Sequence, residues 1–200
     1  MAAFTPSTIA ALVIAASFAA GLNVYATVMT LGLLAHTHWV ALPQGLEMLG
    51  SWWVIGVCGV LFAMEFVADK IPGIDMVWNA FHTFIRVPVA ALLAYRATAH
   101  LSPGMQILAT LAGAGIALAA HSSKTAVRAV VTPSPEPISN IALSTTEDGL
   151  AIGLTWLATR HPWTSAGIAL LFLALALLAT RWLVRTLKDS WRKLTETIAT

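Results

Sequence analysis

From Met1 to Leu46 the chain contains no Asp, Glu, Lys or Arg, and that gap restricts the fold more than any other feature. A charged side chain costs roughly 2.5–3.5 kcal/mol at the centre of a membrane helix, so a long uncharged run is what insertion into a bilayer demands. The bias extends beyond this stretch: 58% of the residues are hydrophobic and 10% charged, a composition of membrane proteins. The amino-terminal run lacks a basic leader and is followed by several equally apolar segments, so it reads as a retained span and not a cleaved signal. The lone Cys58 excludes an internal disulfide framework or a thiolate metal cluster.

The predicted fold is all-α: one transmembrane domain over residues 1–200, a polytopic helical bundle of about six spans with broken or re-entrant segments. Thr8 to Ala35 would be about 42 Å long as one helix, against a hydrocarbon core of about 30 Å. With Gly21-Leu22-Asn23 near its middle, it is either one kinked span or two half-helices round a polar turn. A second span runs from about Leu49 to Asp69 and ends at Ile71-Pro72-Gly73, where proline stops a helix and glycine permits a turn. A third runs from about Met76 to Tyr95, and a fourth begins after Ser102-Pro103-Gly104 and carries the small residues Ala112-Gly113-Ala114-Gly115, which suit close helix contact. Residues 132–137, Thr-Pro-Ser-Pro-Glu-Pro, cannot lie inside a helix. A fifth span, about Ile138 to Thr159, and a sixth, about Trp163 to Leu183, complete the set.

From Arg181 onward five basic residues face two acidic ones, which by the positive-inside rule places the carboxyl terminus in the cytoplasm. Residues 184–200 are expected to form a basic helix along that surface. An even number of spans would put both termini on that side.

Charge returns where the apolar runs break. Between residues 65 and 148 lie the acids Glu65, Asp69, Asp75, Glu136, Glu147 and Asp148 and the bases Lys70, Arg86, Arg96, Lys124 and Arg128. Near balance suggests pairing, and ionisable groups inside a membrane domain are functional candidates by default. Glu65 and Asp69 share a helix face, where like charges repel, so either a cation stands beside them or one holds a proton. His82 and Arg86 share another face, as do Lys124 and Arg128. The candidate substrate-binding set is therefore Asn23, Lys70, His82, Arg86, His121, Lys124, Arg128, Ser134 and Asn140. The candidate proton- or cation-coupling set is Glu65, Asp69, Glu136, Glu147 and Asp148. Two basic helix-face pairs favour an anionic group, such as the phosphate of a lipid or small metabolite, over a cation path through the carboxylates.

The preferred reading is a small transporter or channel-like protein, with the anion coupled to a proton. The alternatives are a non-transporting scaffold whose ion pairs only set helix packing and an enzyme acting on a lipid headgroup. Lys70, Arg86, His82 and His121 supply the residue types of a lipid phosphatase, but its signature spacing is absent, and the chain is read as no enzyme. The six histidines form no ligand spacing for metal or haem, so no cofactor is expected. Expected partners are the lipid bilayer, an anionic lipid or small-molecule substrate and a second copy of the chain, with no nucleic acid. Interrupted polar segments in two three-span halves also fit a pseudo-inverted repeat.

The runs Gly21-Leu-Asn-Val-Tyr-Ala, Glu65-Phe-Val-Ala-Asp-Lys-Ile-Pro-Gly-Ile-Asp, His82-Thr-Phe-Ile-Arg and Ser134-Pro-Glu-Pro-Ile-Ser-Asn resemble the signature stretches of a family of small bacterial membrane proteins known only as a domain of unknown function. That resemblance covers most of the chain and implies an integral protein of the bacterial inner membrane, with no activity to carry over. The chain has Val87-Pro88 after Arg86, where the family pattern has proline directly after the arginine.

Overall fold

The computed structural model describes residues 4–71, 73–131 and 137–198. Among these it is all-helical: α1 (Pro6–Leu22), α2 (Val24–His36), a 3-10 helix at Gln44–Gly50, α3 (Trp52–Ala68), α4 (Ile74–Ala97), α5 (Pro103–Val131), α6 (Pro137–Arg160) and α7 (Pro162–Ile198). The amino-terminal segment is two half-helices and not one kinked span. Thr5 caps α1 through the Thr8 amide, with proline at the first helical position. The extended backbone of Asn23 (φ −149°, ψ 106°) ends α1, and its side chain accepts from the Ala26 amide to begin α2. An asparagine is suited to both tasks because its side chain competes for nearby backbone groups.

Residues 11–28 are buried apart from Ile14, so the break lies inside the protein, with α1 packed on α4, α5, α6 and α7. A helix that is apolar on every side must be enclosed in this way. Close approach is sterically specified: a Cβ on Gly21 would lie 2.7 Å from both the Ala117 carbonyl oxygen and the Ala120 Cβ, and one on Gly113 would lie 2.8 Å from the Ala94 Cβ. The outer helices have the opposite pattern. Phe81, Phe84 and Leu92 on α4, Ile107, Leu108 and Leu111 on α5 and Leu171, Leu175 and Leu178 on α7 are exposed, while Glu65, Asp69, Arg86, Lys124, Arg128, Glu147 and Asp148 are buried. Apolar surface outside and charge inside suits a lipid environment.

The contacts fix the helix directions. Thr83 meets His121, Ala94 meets Gly113 and the Tyr95 carbonyl accepts from Gln106, so α4 and α5 are antiparallel. Ser17 meets Gly113 and Gly21 meets Ala117, so α1 runs parallel to α5. Leu31 of α2 shares one small cavity with Leu12, Val13 and Ala16 of α1, so α2 turns back toward the end from which α1 came. Gly45 then lies against the Arg96 carbonyl at the end of α4. Together α1 and α2 form a V whose tip is Asn23.

Against the six crossings expected, three helices among the described residues are long and apolar enough to span a membrane: Val77–Ala97, Pro103–Arg128 and Pro162–Thr186. A fourth is obtained if the 3-10 helix and α3, bent by 68°, count as one. The first segment is divided by its break, and the 24-residue α6 carries Glu147 and Asp148 in its middle. Gly73, with φ 88°, adopts the left-handed conformation that glycine tolerates best and starts α4. That helix continues through Pro88. The last span and the basic segment share one helix: α7 is continuous over 37 residues, as no proline or glycine follows Gly167 to interrupt it.

Candidate functional site

The tip of the V supplies unpaired helix-end groups in the protein interior, and charged side chains meet them there. The last carbonyls of a helix have no partner of their own and form its negative dipole end. Lys124 donates to the Leu22 oxygen at 2.9 Å, and Arg86 reaches the Gly21 oxygen at 3.5 Å. On the other side of the break Asn23 donates to Asp148 Oδ1 at 2.8 Å, which places an acid beside the positive start of α2.

Around this tip lies a network from four helices. Arg86 of α4 is hydrogen-bonded and ion-paired to Glu65 of α3. Lys124 of α5 lies 3.8 Å from Glu65 Oε1, 3.0 Å from Asp69 Oδ2 and 3.2 Å from Glu147 Oε2. A cation thus stands between the two carboxylates that share the α3 face. Arg128 of α5 donates to the Asp69 carbonyl at 3.1 Å and to Asp69 Oδ2 at 3.0 Å, and it pairs with Glu147 of α6. Asn79 also donates to Asp69, at 3.2 Å. Glu65, Asp69 and Arg86 are 0% exposed, Arg128 1% and Lys124 4%.

Of the residues expected at the site, Asn23, Glu65, Asp69, Arg86, His121, Lys124, Arg128, Glu147 and Asp148 come together. His121 joins through its ring: Arg86 donates to Nδ1 at 2.7 Å. Nε2 therefore carries the hydrogen and donates to Thr83 Oγ1 at 2.7 Å, and that hydroxyl donates to the Asn79 carbonyl at 3.3 Å. His82 does not join Arg86. It donates from Nδ1 to the Trp78 carbonyl at 2.7 Å, stacks on the Trp78 ring and accepts from the Tyr25 hydroxyl at 3.1 Å. Lys70 is peripheral, donating to the Phe66 carbonyl and Ser144 with its ammonium 3.0 Å over the Phe66 ring. Ser134 and Glu136 lie outside the described residues. Asn140 is on the first turns of α6, and its side chain lies outside what is described.

Sequence reasoning missed Tyr25, Asn79 and Thr83. Asn79, His82, Thr83 and Arg86 follow the i, i+3, i+4, i+7 spacing of one helix face, so that polar stripe on α4 was a usable signal. Nothing in the sequence indicated that the Gly21 and Leu22 carbonyls would be ligands.

Not every polar atom is satisfied. Among the described residues Glu65 Oε2, Arg86 Nε, Ser123 Oγ and Asp148 Oδ2 are buried with no hydrogen-bond partner. Glu65, Asp69, Glu147 and Asp148 also outnumber the buried cations Arg86, Lys124 and Arg128 by one. Asp148 forms no ion pair within 4.0 Å among those residues. Three or more His, Cys, Asp and Glu side chains placed to hold a metal do not occur among the described residues.

Fold and cluster together define a class: a helical bundle with helices able to span a membrane, organised round buried ion pairs at a broken helix. Residues 10–182 match the family described as a domain of unknown function (DUF4126), and the chain belongs to that family. No curated protein and no solved structure matches it.

Proposed function

We propose that the protein is a small membrane transporter that carries an oxyanion, phosphate-bearing or similar, together with a proton. One observation carries this reading: Arg86 and Lys124, the cations that tie the network to Glu65, also hold the final carbonyls of a half-helix ending inside the bundle. Discontinuous helices that meet charged groups at mid-depth are a recurrent substrate-site design in transporters. Irregular backbone at that depth is tolerated only where protein or a cavity encloses it.

The coupling follows from charge conservation. Glu65 uses Oε1 for Arg86 and Lys124 and leaves Oε2 without a donor among the described residues. A proton on Oε2 weakens its hold on Arg86, and an anion takes the released guanidinium, a group suited to bidentate oxyanion binding. Proton and anion enter together, so the buried charge does not change. Asp148, held among the described residues by the Asn23 amide, links a second proton site to the tip of the V.

The topology that accompanies this reading is five crossings, α3 to α7, plus the re-entrant pair α1–α2. The basic end of α7 faces the cytoplasm and the amino terminus faces the opposite side.

A second reading, a scaffold with no transport, is favoured by the three acceptors within 3.2 Å of the Lys124 ammonium, which leave that group satisfied by protein alone. The test is anion uptake by reconstituted protein under a proton gradient. Uptake above that of empty vesicles supports the transporter, and its absence supports the scaffold.

A further inference from the structure

On the flank of the bundle between α4 and α5 there is a recess of about 380 Å³ lined by Thr83, His121, Ser122, Thr125 and Ala126. It brings the hydroxyls of Thr83, Ser122 and Thr125 to a largely apolar flank, where Phe81 and Phe84 on α4 and Leu118 on α5 are exposed nearby in sequence. The buried His121 is one of its lining residues, and its ring is bonded to Thr83 in the recess wall. Behind that ring is Arg86, which donates to His121 Nδ1 at 2.7 Å and is itself wholly buried. A single imidazole therefore separates an open recess from the guanidinium that pairs with Glu65.

The bonding of His121 suits a latch more than a fixed brace. Its ring is held by neutral and charge-assisted hydrogen bonds alone, to Arg86, to the Thr83 hydroxyl on the recess wall and to the Asn79 backbone, and by no ion pair among the described residues. Arg86 Nε has no acceptor among those residues, so the guanidinium holds unused donor capacity in a place where leaving it unmet is costly. Rotation of the imidazole into the recess would remove the Nδ1 acceptor from Arg86 and open the guanidinium to the flank. Ser122, exposed on the rim, offers a hydroxyl to whatever enters. A planar cation with free donors, reached past neutral hydroxyls, selects an oxyanion over a cation or a neutral solute.

We propose that Arg86 is an oxyanion-binding residue reached laterally through the α4–α5 recess, and that His121 is the latch that closes it. The oxyanion class follows the transport reading above, but the latch is tested without any transport.

Phenylglyoxal, which modifies accessible arginines, is applied to the purified protein in detergent, and modification of Arg86 and Arg128 is followed by peptide mass spectrometry. Wild type and His121→Phe, which keeps the bulk, are expected to leave Arg86 protected. His121→Ala is expected to raise Arg86 modification several-fold while Arg128, equally buried, stays unmodified and so reports that the fold is intact. Inorganic phosphate or a short-chain phosphatidic acid should then slow modification in His121→Ala. Protection by phosphate marks a soluble anion, and protection by the lipid alone marks a headgroup. Equal Arg86 modification in wild type and His121→Ala, or a rise that Arg128 shares, overturns the latch. Protection by neither anion overturns the oxyanion site. Loss of uptake in vesicles with this labelling pattern intact would refute the transport reading and leave the latch standing.

Discussion

Asn23 donates its side-chain amide to Asp148 at 2.8 Å across 125 residues of chain, and its carbonyl oxygen Oδ1 accepts from the Ala26 amide at 2.9 Å. One side chain therefore begins α2 and ties the tip of the V to α6. Asp148 Oδ2 has no further partner among the described residues, so this carboxylate relies on the Asn23 amide for its hydrogen bonding there.

Replacing Asn23 should show both roles. Asn23→Ala removes a helix cap and strands the Asp148 oxygen, at a combined cost of about 2 kcal/mol or more, visible as a lower Tm in detergent. Asn23→Asp keeps the acceptor for Ala26 but sets a second carboxylate against Asp148. Its Tm deficit is expected to be large at neutral pH and to shrink as pH falls, because one shared proton restores a donor. A deficit that grows on acidification contradicts this pairing.

Close contact of α1 with α5 gives a steric prediction. Gly21→Ala places its Cβ 2.7 Å from the Ala117 oxygen and should cost about 1–3 kcal/mol. Gly115→Ala, whose Cβ would meet nothing within 4 Å, should be neutral. Thermal unfolding of the two variants compares them directly, and equal Tm values would show that the α1–α5 approach is looser than described.

The buried pair Arg86–Glu65 should be strongly coupled. Arg86→Met leaves Glu65 buried without its guanidinium and is expected to cost about 3–5 kcal/mol. Combining it with Glu65→Leu should recover part of that loss, giving a coupling well outside additivity. Additive Tm losses would mean that Lys124 alone neutralises Glu65.

Much of this site was legible in the sequence, for a physical reason. Charges are so costly in a bilayer that each one inside an apolar run must have a partner, and Glu65, Asp69, Lys124, Arg128 and Glu147 found theirs among one another. The break at Asn23 was also visible, but its consequence was not. Whether a helix kinks or folds back depends on what its neighbours enclose, and the fold-back of α2 rests on Leu31 meeting Leu12 and Val13, a tertiary fact. His82 misled because its spacing from Arg86 is right for a shared helix face, while Tyr25 and the Trp78 carbonyl compete successfully for its two nitrogens. The second interruption on which an inverted repeat would rest, residues 132–136, lies outside the described residues.

Topology offers an independent check. The proposed topology, five crossings and a re-entrant pair, predicts an amino terminus outside and a basic carboxyl terminus in the cytoplasm. A reporter fused ahead of Met1 should be active only when exported, and one fused after Thr200 only when retained. Retention of both would restore an even count and contradict the V.

The central claim is tested most directly by phosphate uptake into proteoliposomes under an inward proton gradient. The account predicts uptake above that of protein-free vesicles, collapse when the gradient is dissipated, and loss in Arg86→Met and Lys124→Met variants that still reconstitute as folded protein. Wild-type vesicles that take up no more phosphate than empty ones, with the protein folded and correctly inserted, would contradict it.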